Sequence, residues 1–113
     1  MKRDKDIPHN LLDETIHQRT RLAIMATLAG VDRLDFNELK VELGLTDGNL
    51  STHGAALERA GYVRIAKRFL GRKPRTTLEM TAKGRAALER YISLLEGILV
   101  RAELKPTAQK GAQ

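Results

Sequence analysis

The chain has 113 residues, enough for one domain with a modest core, and its composition of 42% apolar and 30% charged residues is globular. No apolar run approaches the ~18–20 residues that cross a bilayer, and the start, MKRDKDIPHN, lacks the apolar segment of an export signal, so a cytoplasmic location is expected. Cysteine and tryptophan are absent, which excludes disulfides and thiolate metal sites and leaves little for an aromatic platform that stacks single-stranded bases.

Residues 1–10 read as a flexible N-terminus, 11–105 as a single domain and 106–113 as a disordered tail of low apolar content. A first helix is expected from Asp13 as N-cap to Gly30, with Ile16, Ala23, Ile24, Thr27 and Leu28 facing inward. In LDFNEL, Asp35 and Glu38 form a capping box, Leu34 and Leu39 a staple, and the helix spans about 36–43. A strand of one or two residues at Arg33–Leu34 precedes it. In LTDGNL, Thr46 caps a helix over about 47–60 that stops at Gly61, so the two make a helix-turn-helix. The period then changes to two in YVRIAKRF and TTLEM, which read as antiparallel strands around a loop, FLGRKPR. Thr81 caps a long last helix that ends before Pro106. The fold class is therefore mainly α with a β-hairpin: a winged helix-turn-helix with a long C-terminal dimerisation helix.

The net charge of +6 is concentrated. Residues 59–78 hold seven basic side chains and no acid, which leaves 13 basic against 14 acidic residues elsewhere. A basic patch on a neutral body is the footprint of a polyanion-binding surface. Lys67, Arg68, Arg72, Lys73 and Arg75 are the candidate wing contacts to phosphates and minor groove. On the helix at 47–60, Leu50, Leu57 and Gly54 face the core. Gly48, Thr52, Ala55 and Arg59, flanked by Asn49, Ser51 and Ala56, face outward. These short side chains suit a major groove, and with Thr46 at the cap they form the candidate recognition surface. Wing cations and helix surface are expected to make one DNA-docking face.

In the last helix Leu88, Ile92, Leu95, Leu99 and Ala102 form a seam, widened by Tyr91, Leu94 and Ile98, that predicts a homodimer; Leu11, Leu12 and Ile16 are expected to complete it. His9, His17 and His53 are scattered and read as hydrogen-bonded structural residues. No metal site, cofactor or catalytic constellation is expected, so the protein reads as a non-enzyme.

The segments RLAIMATLAG, DFNELKVELGLTDGNLSTH and LERAGYVRIAKRFLGRKPRTTLEMTAKGRAAL together resemble small winged-helix regulators of the MarR and ArsR families, over about residues 11–100. Met80 stands where relatives carry Leu, and Gly54 where they carry a large aliphatic residue. The resemblance implies a homodimer on double-stranded DNA, with the helix bearing Thr46–Arg59 in the major groove and 67–75 as wing. Two alternatives use the same scaffold: a protein–protein assembly module, and a small-molecule-responsive sensor whose effector the sequence does not name.

Overall fold

The computed structural model describes residues 8–104, so the expected disordered tail and most of the expected flexible N-terminus lie outside the described residues. A short 3-10 turn, Pro8–Leu11, leads to α1 (Arg19–Ala29), β1 (Leu34–Asp35), α2 (Phe36–Leu43), α3 (Asp47–Arg59), β2 (Val63–Leu70), β3 (Lys73–Met80) and α4 (Ala82–Arg101). The strands form one antiparallel sheet in the order β1-β3-β2. Ile16, Ile24, Met25, Leu28, Leu39, Leu50, Leu57, Val63, Leu78, Leu88 and Tyr91 make the core.

The two short helices begin where local chemistry dictates. Asp35 accepts from Asn37 N–H, Glu38 returns a bond to Asp35 N–H at 3.0 Å, and Gly44 closes α2 in the left-handed region. The Thr46 hydroxyl accepts from Asn49 N–H at 3.0 Å and starts α3, while Lys40 Nζ holds Asp47 at 2.7 Å across the intervening turn. β1 lies one residue later than expected, with Leu34 opposite Leu78 and Asp35 opposite Thr77.

The first helix departs from expectation. Asp13 does cap, accepting from Thr15 N–H (2.8 Å) and Ile16 N–H (3.3 Å), but the turn does not propagate. Gln18 is extended (φ −151°), and its side chain starts α1 afresh by accepting from Arg21 N–H. Two β-branched residues, Thr15 and Ile16, propagate a helix weakly, and tertiary contacts capture the break. Arg21 Nε donates to Thr15 O at 2.5 Å, His17 Nδ1 meets Tyr91 Oη at 2.8 Å, and Ile16 is sealed in the core.

The hairpin departs further. Only Gly71 and Arg72 separate the strands, and the rest of FLGRKPR is paired strand rather than loop: Lys67 opposes Thr76, Arg68 Arg75, Phe69 Pro74 and Leu70 Lys73. Gly71 takes φ 68°, which lets a two-residue turn match the twist of its strands.

The corner where α3 leaves for β2 is locked to α4. Thr81 N–H donates to Tyr62 O (3.0 Å), the Thr81 hydroxyl donates to Gly61 O (2.6 Å) and accepts from Gly84 N–H (2.9 Å). A Cβ on Gly84 would stand 2.1 Å from Tyr62 O, so only glycine fits there. The Tyr62 hydroxyl donates to Asp13, and that bond, with burial and the carboxylate charge, pushes the phenol up to about 12. The space beside Gly54 is filled by neighbours: a Cβ there would meet Ile65 Cδ1 at 3.5 Å and Leu78 Cδ2 at 3.6 Å, ordinary contact distances.

Two glycine substitutions should therefore differ in sign. Gly54→Ala should stabilise by roughly 0.5–1 kcal/mol, by removing a mid-helix glycine without a clash. Gly84→Ala should cost about 1–3 kcal/mol or more, by overpacking against backbone. Urea melts of the two variants check both. Because the Tyr62 pKa is raised, its contribution is full below pH ~10 and fades as pH rises through its folded value. Absorbance at 295 nm should show the Tyr62 step only well above pH ~10, and Asp13→Asn should bring Tyr62 titration down toward the ordinary range.

Candidate nucleic-acid interface

Side chains alternate along a strand, so the hairpin has two faces. Val63, Ile65, Leu78 and Met80 pack toward α3, and the same face runs outward through Lys67, Thr76, Phe69 and Pro74. The opposite face carries Arg64, Glu79, Thr77, Arg68, Arg75, Leu70 and Lys73. The wing cations therefore do not form one face, as the sequence had suggested. Lys67 lies on the α3 side, Arg68, Lys73 and Arg75 lie on the far side, and Arg72 sits at the turn. The period of two separates neighbours that a count of charge treats as one cluster.

Nor is the hairpin free of acids. Glu79 accepts from Arg64 Nε at 3.0 Å and lies 3.5 Å from Arg33 Nε and 3.8 Å from an Arg68 amino group. Arg75 stands 3.5 Å from Asp35. The hydrogen bond from Arg64 is the main influence that holds the Glu79 carboxyl below the usual carboxylate range, with Arg33 adding to it. Among the described residues, Lys67, Arg72, Lys73 and Arg59 have no ion pair, and all four are exposed. Three of them belong to the outer hairpin, which extends about 16 Å past the last core-packed pair, Ile65 and Leu78, at ~3.3 Å per residue.

On α3, Thr46, Gly48, Asn49, Ser51, Thr52 and Arg59 are exposed, and Ala55 and Ala56 are half-buried. The helix is seated from behind by Leu50, Gly54 and Leu57, and from the side by Arg21, which reaches His53 Nδ1 at 3.2 Å. Glu58 accepts from Ile65 N–H at 3.2 Å and ties the helix to the hairpin. A groove of about 320 Å³ separates α3 from the hairpin, with Leu50 and Leu78 buried at its floor and Ser51 and Thr76 among its walls. The helix and the α3-facing side of the hairpin thus share one concave surface.

The residues expected at a dimer seam divide. Ile16, Leu88 and Tyr91 are buried within their own chain, so they have almost no surface to offer a second one. Leu12, Leu95, Ile98 and Leu99 are half-buried, Ile92 and Ala102 exposed, and Leu11 and Val100 are exposed near them in the same segments. Between the N-terminal segment and α4 lies a cavity of about 270 Å³ lined by Leu11, Asp13, Tyr62, Ala87, Arg90, Tyr91 and Leu94. His17 and His53 are hydrogen-bonded, to Tyr91 and Arg21. No helix among the described residues is long and apolar enough to cross a membrane.

The sequence reading missed Glu79 and Asp35 as charge partners and Phe69 and Leu70 as exposed apolar residues. Centring the turn on Gly71–Arg72 is the signal that finds Glu79 opposite Arg64.

The profile of the winged helix DNA-binding domain family matches residues 20–99. An uncharacterized protein of Methanocaldococcus jannaschii is 42% identical over 72 residues, 64% of this chain and 78% of that one. The fold is similar to the transcriptional regulator homologue of Pyrococcus horikoshii OT3 (TM-score 0.81, 29% identity, 88% of this chain and 99% of the other). It is also similar to a MarR-family protein from Enterococcus faecalis V583 (0.70, 27%, 91% and 93%). The M. tuberculosis transcriptional regulator MOSR, solved in complex with DNA, matches at 0.62 and 28% identity, over 80% of this chain and 62% of its own.

The depressed Glu79 carboxyl contributes stability that is present above its unfolded pKa and lost as pH falls through the folded value. Glu79→Gln should therefore flatten the acid-side loss of thermal stability below about pH 5, which melts at stepped pH will check.

Proposed function

Because the chain belongs to the winged helix DNA-binding domain family, with a MarR-family protein among its structural neighbours, we propose that it is a homodimeric, sequence-specific regulator of transcription. It places α3 in the major groove and the wing on the adjacent backbone and minor groove. The observation that carries this reading is the shared concavity. Ser51 on the outer side of α3 borders one groove with Ile65 and Thr76 on the α3-facing side of the hairpin, and the unpaired cations Lys67, Arg72 and Lys73 project beyond it.

The roles follow from chemistry. Asn49, Ser51 and Thr52 are exposed hydrogen-bonding groups within reach of base edges, and Gly48 and Ala55 let the helix sit deep. The α3 N-terminus, capped by Thr46, and Arg59 at the other end hold phosphates. The wing enters edge-on, so cations on both of its faces reach the two walls of a groove. Arg68 and Arg75 exchange Glu79 and Asp35 for phosphate and add less than the unpaired three. Two copies pair through Ile92, Leu95, Ile98 and Leu99 of α4 and Ala102 at its C-cap, with Leu12, while Ile16, Leu88 and Tyr91 stiffen that face from behind. The cavity lined by Tyr62 and Tyr91 supports an effector-responsive form of the same reading, since a ligand there would touch α4 and Tyr62 at the corner between α3 and β2 together.

Selection of genomic fragments by the purified protein should recover a two-fold site with half-sites about one helical turn apart, ~34 Å. On that site, with ~4–5 phosphates held per protomer, log K against log[salt] should fall with a slope of about −7 to −9. Arg72→Ala with Lys73→Ala should reduce the slope by about 3–4 and weaken all sequences alike. Asn49→Ala should instead change which sequences are preferred. An unchanged slope in the double variant would remove the wing from the interface.

A further inference from the structure

The hairpin tip carries apolar side chains that the fold does not use. Phe69 is 73% exposed and Leu70 69%, and they occupy the last two positions of β2, immediately before the turn. Packing does not explain them, because the core ends at Ile65 and Leu78 and every residue from Lys67 to Arg75 is exposed. Phosphate binding does not explain them either, since it asks only for cations and polar groups. An exposed apolar tip on a paired hairpin is also an aggregation hazard, which hairpins ordinarily avoid.

Their surroundings identify the partner's chemistry. Phe69 faces the α3 side with Pro74 opposite, and Leu70 faces the far side with Lys73 opposite. Arg68, Arg72 and Lys73 stand beside them in the chain. The tip is therefore a narrow blade, apolar on both faces, ringed by positive charge and closed by a two-residue turn. A polyanion whose interior is apolar and whose edge is charged complements such a blade, and stacked base pairs between phosphate walls have that character. Apolar side chains that enter a minor groove wedge between base steps and bend the duplex, most cheaply at flexible pyrimidine–purine steps.

We propose that Phe69, supported by Leu70, is a DNA-deforming wedge: when the wing occupies the minor groove, it partly unstacks one base step on each side of the site. This rests on the reading of the wing as a DNA-contacting element. Sequence preference at the wing then comes from deformability rather than from hydrogen bonds to bases, with a pyrimidine–purine step favoured where the tip lands.

The test separates the wedge from the DNA-binding reading. The full-length protein is titrated onto the genomic duplex recovered by selection, with 2-aminopurine replacing single adenines along both flanks. The wedge predicts bright 2-aminopurine emission at one step per flank and a bent duplex by end-to-end energy transfer. Phe69→Ala should lose the emission and weaken binding of the dimer about a hundredfold, about tenfold for each of its two aromatic–base contacts. Phe69→Leu should keep much of both. Phe69→Lys adds charge, so it should preserve low-salt affinity while losing emission and bend. Phe69 and Leu70 are both exposed, so folding is not at stake. Tight binding with no emission at any flank position, or emission that survives Phe69→Lys with Leu70→Lys, overturns the wedge and leaves the DNA-binding reading intact. Absence of binding to any duplex overturns both. Binding of the parent, but not of Phe69→Lys, to phosphatidylglycerol vesicles makes the tip a lipid contact and also overturns the wedge.

Discussion

Everything this molecule does with its surface depends on one close approach, that of the Tyr62 carbonyl to the start of α4. Three functional parts meet there: the end of α3, the root of the wing and the first turn of the last helix. Gly84 lacks the side chain that would collide with Tyr62 O, and Thr81 uses its amide and hydroxyl to hold Tyr62 O, Gly61 O and Gly84 N–H. The angle between α3 and the hairpin is thereby tied to the direction of α4. Asp13 extends the lock by accepting from the Tyr62 hydroxyl and from two backbone amides of its own turn. Because Tyr62 and Asp13 also line the cavity against α4, a disturbance at this corner would be felt by all three parts.

How much of this was legible in the sequence varied with the range of the forces involved. Both short helices begin and end as their caps predict, because a capping box and a staple act within five residues. The hairpin was found but its turn was misplaced. Pro74 reads locally as a loop residue, yet it lies in the outer half of β3, past the short pairing with β1, where that edge of the strand is free and a lost N–H matters little. The start of α1 was misjudged for the opposite reason. Asp13 is a genuine cap, but contacts made by Arg21, His17 and Ile16 with distant residues decide that the turn stops after one winding. The corner at Gly84 was visible only as a glycine in a motif. Nothing local reveals that a carbonyl from twenty-two residues earlier will lie against it.

At the candidate interface, type was legible and direction was not. The short residues on α3 and the cationic hairpin stood out in composition, and α3 presents its short side chains outward as the helical period requires. Which cations are free was hidden, because it depends on partners brought in by the fold. Glu79 serves Arg33, Arg64 and Arg68, and Asp35 serves Arg75 while also capping α2. The half-buried seam on α4 was likewise only partly readable, since a helical stripe does not say how much of it its own core will consume.

The placement of these acids explains how a hairpin with so much like charge folds at all. Arg68 and Arg75 are direct cross-strand partners, a pairing that repels. Each is drawn instead toward a carboxylate at the hairpin root, Arg68 to Glu79 and Arg75 to Asp35, so the repulsion is relieved where the strands begin to leave the core. Exposed pairs of this kind contribute little to stability, and their value here is to neutralise rather than to bind. Beyond them no acid follows, and Lys67, Arg72 and Lys73 stay uncompensated around an apolar tip. Charge that would destabilise the root is cancelled there, and charge that a polyanion can use is kept at the end that reaches it.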